Sequence, residues 1–251
     1  MASGKFTYLS YRRHRICNPF SFELLERLLG FAELKPGDRA FDLGAGNGVI
    51  SAWLAQRHGL AVSAVERFEP MAQMARREAE GVTGPGRVEV VVGDAVGFLN
   101  KSEWCELLCA IGTVGLLVSP LGETELADVF KSLKSYISPG GYLLWGDPFW
   151  KAEPSDRLKA VFANERYQTH EGYIAAGERA GLIPVHAEIS SQADWDDYSK
   201  TMIASVEDWI AENPDDPDAP AFKAQIRYMR TLYEEDVREQ MGFGLYLFRA
   251  S

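Results

Sequence analysis

Along the middle of the chain, short apolar runs alternate with stretches whose apolar residues recur at helical spacing. Arg39 to Leu43 is a brief apolar run that ends in a glycine cluster, and Val49 to His58 has helical character. Leu60 to Val65 reads as a strand ending at Glu66, and Met71 to Glu80 reads as a helix rich in Ala, Met, Arg and Glu. Arg87 to Val92 is a valine-rich strand that ends in Gly93-Asp94-Ala95. Glu106 to Ile111 is a further strand, followed by Gly112-Thr113. Leu121 to Tyr136 reads as a helix stopped by Pro139-Gly140-Gly141, and Tyr142 to Gly146 is a fifth strand. Such alternation predicts an α/β fold: a parallel, doubly wound sheet with helices on both faces.

The rhythm then changes. Tyr167 to Ala180 is expected to be a helix with Gly181 as its C-cap, and Leu182 to Ile189 a strand. Asp197 to Glu212 is expected to be helical, Asn213 to Asp218 is an acidic turn with two prolines, and Ala221 to Gln240 is a long helix candidate. Gly242 to Arg249 reads as a last buried strand. No internal repeat interrupts this order.

Composition narrows the picture. The 251 residues suit one domain with a modest insertion. No apolar run approaches the ~20 residues of a membrane-spanning helix. The first residues carry Lys5, Arg12, Arg13 and Arg15 in place of a secretory apolar block, so the cytoplasm is the expected location. The net charge is -10, with 36 acids against 26 bases, which disfavours a phosphate-backbone partner. The only dense basic stretch is Arg12-Arg13-His14-Arg15. Three cysteines are too few for a disulfide framework, and Cys105 and Cys109 fall on one strand, about 13 Å apart along its axis. The histidines are scattered, and no metal site is readable.

Chemistry concentrates in Phe41-Asp42-Leu43-Gly44-Ala45-Gly46-Asn47-Gly48, which follows a strand and opens a helix. The spacing Gly-x-Gly-x-Gly differs from the Gly-x-Gly-x-x-Gly of dinucleotide enzymes. Asp42 beside the turn disfavours a pyrophosphate and favours a cationic amino-acid group. Glu66, 24 residues after Asp42, stands where an acid can accept from ribose hydroxyls. Asp94 can accept from an exocyclic adenine amine, with a neighbouring backbone N–H for a ring nitrogen. Free N–H groups near Gly48 can meet a carboxylate. Together these groups describe adenosine carrying an amino-acid tail.

Asp42 to Gly48, Glu66 and Gly93 to Ala95 resemble, in order and spacing, the three motifs that bind S-adenosylmethionine (SAM) in class I methyltransferases. The resemblance implies that Asp42, Gly44, Ala45, Gly46 and Gly48 line the methionine part, that Glu66 with Arg67 beside it holds the ribose, and that Gly93, Asp94 and Ala95 read the adenine. Cys109 to Thr113, with Ile111 and Gly112, is similar to the fourth-strand region beneath the cofactor. Ile137-Ser138-Pro139-Gly140-Gly141 is similar to the family's turn before its fifth strand. The implied fold is a Rossmann-like, doubly wound, seven-stranded sheet, mostly parallel with an antiparallel last strand, plus a helical insertion before that strand. Residues 35–190 and 241–251 would form the SAM-binding core, 1–34 an N-terminal cap segment, and 191–240 the insertion. Ile16 to Ser21, Gly146 to Trp150 and the acidic insertion resemble a bacterial group without assigned substrates.

The implied activity is methyl transfer from SAM to a small-molecule acceptor, leaving S-adenosylhomocysteine (SAH). An in-line displacement from a sulfonium needs mainly proximity and orientation, and a base only for a protonated acceptor. The acceptor is expected beyond the carboxyl ends of the fourth and fifth strands. Asp147 and Trp150, placed just after the fifth strand, are candidates there, as catalytic and substrate-binding residues; their alternatives are a turn carboxylate before Pro148 and a packing residue. His14 and Tyr11 could fold over the cofactor, with a surface histidine among arginines as the alternative for His14. Trp195, Tyr198, Trp209, Tyr228 and Tyr233 gather aromatics in the insertion, which reads as a lid that shapes the acceptor pocket, as a homodimerisation element or as plain packing. Aminopropyl transfer and a non-catalytic, SAM-binding regulatory role are the rival functions.

Overall fold

The computed structural model describes residues 2–113, 125–163 and 167–251. Its centre is a seven-stranded sheet built from β1 (Arg39–Leu43), β2 (Ala61–Glu66), β3 (Arg87–Val92), β4 (Cys105–Ile111), β5 (Ile137–Trp150), β6 (Leu182–Ile189) and β7 (Met241–Ala250). The spatial order is β3-β2-β1-β4-β5-β7-β6. β1 pairs in parallel with β2 and β4, β2 with β3, and β4 with β5. β7 runs antiparallel between β5 and β6, as the sequence led us to expect. The order reverses direction between β1 and β4, and a crevice opens at the carboxyl ends of strands flanking such a reversal.

Helices α1 (Ala2–Tyr11), α2 (Phe22–Leu29), α3 (Val49–His58), α4 (Glu69–Glu80) and α5 (Ala95–Leu99) belong to the first half of the chain. α6 (Leu126–Lys134), α7 (Asp156–Val161) and α8 (His170–Arg179) follow. The insertion holds α9 (Gln192–Glu212), α10 (Ala219–Leu232), a π-helical turn (Tyr233–Val237) and the short α11 (Arg238–Gln240). The two faces of the sheet bury separate cores. Leu25, Leu28, Leu54 and Leu144 lie in one, and Leu43, Leu108, Phe130 and Trp145 in the other. A third cluster joins α1 to the insertion through Phe6, Val206, Trp209 and Phe222. Among the described residues no helix is long and apolar enough to cross a membrane.

Several boundaries differ from expectation for local reasons. α9 starts at Gln192, five residues before the expected Asp197, because Ser191 and Asp194 form a reciprocal capping box. The helix expected over 221–240 is α10 followed by the π-helical turn and α11. Within the helix expected over 121–136, α6 spans Leu126–Lys134, and 121–124 lie outside the described residues. β5 runs on through Trp150, because β7 pairs with it from Tyr142 to Trp150. Asp147 and Trp150 therefore lie within the strand, not after it. Pro148 is tolerated there because β4 stops pairing at Gly146. Two residues on, the Trp150 N–H points to the same vacated side and donates to Gln168 O at 2.9 Å.

Candidate active site

The strand-to-helix turn after β1 is held from below. Gly44 N–H and Ala45 N–H both donate to Val65 O, at 2.8 and 3.0 Å, tying the loop to β2. Gly48 takes a positive φ of 79° at the start of α3. A Cβ on it would lie 2.5 Å from Ala75 Cα, so this glycine lets α3 begin against α4. Gly46, also at positive φ, is loosely surrounded: a Cβ there would meet Cys17 Sγ at 3.8 Å and Met71 Cε at 3.9 Å in ordinary van der Waals contact.

Glu66, at the end of β2, is the electrostatic centre of this rim. Its Oε2 accepts from Gly46 N–H at 3.0 Å and its Oε1 from Phe68 N–H at 2.7 Å. Burial raises the Glu66 carboxyl above its ordinary value, and those backbone donors oppose the shift. With the Arg67 backbone N–H also facing it, the carboxylate keeps room for a further hydroxyl donor. Gly93 N–H donates to Glu66 O at 3.2 Å, which sets the end of β3 beside it.

A cavity of about 700 Å³ opens above these strand tips. That is within the usual range for small-molecule sites, about 300–1,000 Å³. Gly44 and Gly46 of the loop after β1 line it, with Glu66, Arg67, Phe68 and Met71 from the end of β2 and the start of α4. Ile111, Gly112 and Thr113 from the tip of β4 contribute, with Asp147 and Pro148 from β5. Tyr11, Tyr167, Trp195, Tyr198 and Phe243 add aromatic rings. The Tyr198 hydroxyl donates to that of Tyr11 at 3.3 Å. Burial pushes both phenols above their usual values, so both stay protonated at neutral pH. The Tyr173 hydroxyl donates to Pro148 O at 2.9 Å and lies 3.4 Å from Asp147 Oδ2.

The structure thus gathers Tyr11, Gly44, Gly46, Glu66, Arg67, Ile111, Gly112, Asp147 and Trp195 around one cavity. Other sequence-derived candidates stand elsewhere. Asp42 is buried beneath the loop, where its Oδ2 accepts from Ser51 Oγ at 2.5 Å. Burial pushes its carboxyl up to about 6. It supports the loop from behind and is not part of the cavity wall. Ala45 and Gly48 shape the turn without lining the cavity. Asp94 is exposed, and its Oδ1 caps α5 by accepting from Gly97 N–H at 2.7 Å; Gly93 and Ala95 flank it at the rim. His14 is buried behind Tyr198, with Nε2 3.0 Å from Tyr198 O, and lines a neighbouring cavity. Trp150 packs against Phe162 and Tyr167.

Several wall residues have no counterpart among the sequence candidates: Cys17, Asn18, Phe68, Met71, Tyr167 and Phe243. Phe68 and Met71 follow Glu66 closely and could have been found by continuing past the acid. Tyr198 lies one helical turn from Trp195, on the same face of α9. Of the aromatics gathered in the insertion, Trp209 packs in the α1 cluster, Tyr228 is exposed, and Tyr233 stacks on Trp195.

The donor set fits an adenosine with an amino-acid tail. Glu66 offers free lone pairs at the rim, and Gly46 leaves the space that a side chain would fill. A family model described as "Methyltransferase domain" matches residues 40–141. An uncharacterised Escherichia coli protein, YjhP, is 28% identical over 242 residues, covering 95% of each chain. A SAM-dependent methyltransferase from Geobacter sulfurreducens, solved with SAH, superposes with a TM-score of 0.87 at 25% identity, covering 98% of each chain. One from Thiobacillus denitrificans, also solved with SAH, superposes with a TM-score of 0.85 at 26% identity, again over 98% of each chain.

Proposed function

We propose that this chain, a class I SAM-dependent methyltransferase, methylates a small molecule seated against the aromatic side chains of its cavity. The observation that carries this reading is the lining of one cavity: Gly44, Gly46 and Glu66 from the tips of β1 and β2 share it with the rings of Tyr11, Tyr167, Trp195, Tyr198 and Phe243. SAM supplies an activated methyl group. Glu66 holds the ribose hydroxyls through its remaining lone pairs, and the glycine loop gives the amino-acid tail room over Gly46. The adenine extends along the tip of β3 toward Gly93, Asp94 and Ala95. Ile111 and Gly112 lie beneath the tail, at the tip of β4.

The acceptor enters between β4, β5 and the insertion. Tyr11 of α1 meets Tyr198 of α9 beside it, which supports a cover for 1–34 and 191–240 over a purely dimerising role. Asp147 stands in the wall beside the tip of β4 and is the group able to take a proton from an O–H or N–H acceptor. The net charge of -10 and the ring-lined chamber support a small acceptor over nucleic acid. A cytoplasmic location accords with these features.

Calorimetric titration of SAM and SAH into the protein tests the reading. Micromolar binding is expected for both. Glu66→Ala removes two charge-assisted backbone hydrogen bonds together with the ribose acceptor, and should weaken binding roughly 100-fold. Absence of binding to the unaltered protein would overturn the assignment of this cavity.

A further inference from the structure

The segment from Ile16 to Ser21 lines the cavity through Cys17, Asn18 and Pro19 and delivers one side chain whose task nothing above explains. Asn47 Nδ2 donates to His14 O and Arg15 O, at 3.0 and 3.2 Å, which binds this segment to the glycine loop. On the other side, Phe20 N–H donates to Asn18 O at 2.9 Å, and Ser21 Oγ caps α2. The backbone of Asn18 is therefore fixed between the glycine loop and α2.

Its side chain lies over the tip of β4. A Cβ on Gly112 would come within 2.5 Å of Asn18 Oδ1 and 3.3 Å of Nδ2, and Gly112 has a φ of +66°. Glycine at this strand tip leaves the space that the carboxamide occupies. Asn18 is half-buried, and its carboxamide makes no hydrogen bond among the described residues. Asn18 and Tyr198 are shared between the wall of the main cavity and that of the adjoining cavity of about 340 Å³. A carboxamide offers two donors and a carbonyl acceptor, and leaving them unused at a half-buried site is unfavourable unless a ligand or water takes them up. The tips of strands flanking a topological switch point are where ligands meet.

We infer that Asn18 is the positioning residue at the point of methyl transfer: its carboxamide meets the polar group that lies where the methyl leaves the cofactor side and the acceptor's N–H or O–H arrives. Gly112 is the residue that admits it. The inference rests on the SAM-dependent reading above and assigns the transfer point to the border between β4 and the segment before α2. Tyr198, on the far side of the same partition, then stands between the transfer point and the adjoining cavity.

Sinefungin and SAH separate this role from general cofactor binding. Both carry adenosine and the amino-acid tail, and they differ at the transfer point, where sinefungin presents an amine. Calorimetry on Asn18→Ala should show sinefungin affinity reduced roughly tenfold, with SAH affinity within about twofold of the unaltered protein. Asn18→Asp should increase the preference for sinefungin, because a carboxylate then faces an ammonium. Equal weakening of both ligands by Asn18→Ala would make Asn18 a holder of the shared parts and overturn the inference; so would no change in either. Should Asn18→Ala fail to fold, Asn18→Asp decides alone: a raised sinefungin-to-SAH preference is expected, and a lowered or unchanged one overturns the proposal. If the unaltered protein binds SAH and only the ratio fails, the transfer-point assignment falls and the cofactor reading stands. If it binds neither ligand, both fall.

Discussion

Two groups of residues build the cavity wall. One comes from a single βαβ unit, the glycine loop after β1 and the turn after β2, and the backbone of its loop depends on where a Cβ is absent. The other is a set of side chains carried from distant parts of the sequence by α1, the segment before α2, the loop around Tyr167, α9 and β7. Backbone walls accept the parts of a ligand that never vary. Side-chain walls can change chemistry one residue at a time without disturbing the sheet, and so set which acceptor is taken. The difference also predicts unequal sensitivity. Substitution in the backbone wall should act on folding, and substitution in the side-chain wall should act locally.

The largest effect is expected at Gly48. An added methyl group would meet Ala75 Cα and Cβ at 2.5 Å, in a contact between two helices that neither side chain can relieve by rotating. The residue also sits at a φ of 79°, which disfavours any side chain. Overpacking and left-handed strain together put the loss for Gly48→Ala at about 3 kcal/mol. Urea denaturation measures it. A loss below about 0.5 kcal/mol would mean that α3 and α4 slide apart freely, and the rim would not be the rigid element described.

Asp42 tests the same wall from behind. Burial raises its carboxyl from 3.8 to about 6, against the opposing hydrogen bond from Ser51. An acid with a raised folded-state value holds its proton more tightly in the folded state. Its favourable contribution is complete below about pH 4 and is lost as pH rises through about 6. Above that, a buried charge weighs against folding. Asp42→Asn keeps an oxygen for Ser51 Oγ and removes the charge. It should be more stable than the unaltered protein at pH 8 by about 3 kcal/mol, with the difference closing by about pH 4. Equal stability at pH 8 would show that the Asp42 carboxylate is solvated or paired, and that the loop does not seal it from water.

The same contrast explains what could be read in the chain beforehand. Gly44, Gly46 and Glu66 were legible because a strand, a turn and the next strand tip lie within one βαβ unit, where spacing along the chain fixes spacing in the fold. Asp42 was legible as an acid beside the loop but not in its orientation, since Ser51, its partner, is chosen by the first turn of α3. The side-chain wall was mostly hidden. Tyr11 and Tyr198 meet across 187 residues of sequence, and no periodicity in either helix announces the other. Asp147 and Trp150 were expected after β5, yet β7 holds that strand through both. Trp150 consequently packs against Phe162 and Tyr167, away from the cavity. The early start of α9 was written in Ser191 and Asp194, at capping-box spacing, and was obscured by the polar residues around Trp195. Asn18 was visible only as part of an unexplained motif, because its meaning depends on the missing side chain of Gly112.

The smallest effect belongs to the side-chain wall and bears most directly on its independence. Tyr198→Phe removes the donor to the Tyr11 hydroxyl and leaves the ring to pack against His14 and Trp195, at centroid distances of 4.8 and 6.3 Å. A neutral hydrogen bond contributes about 1 kcal/mol net, and the Tyr11 hydroxyl, beside a cavity large enough for water, need not stay unsatisfied. The expected result is a stability loss of about 1 kcal/mol or less by thermal denaturation, with SAH affinity within about twofold of the unaltered protein. A tenfold loss of SAH affinity would be the informative surprise. It would mean that the α1–α9 wall reaches the cofactor, that closing this wall helps to form the Glu66 site, and that the two groups of wall residues act as one.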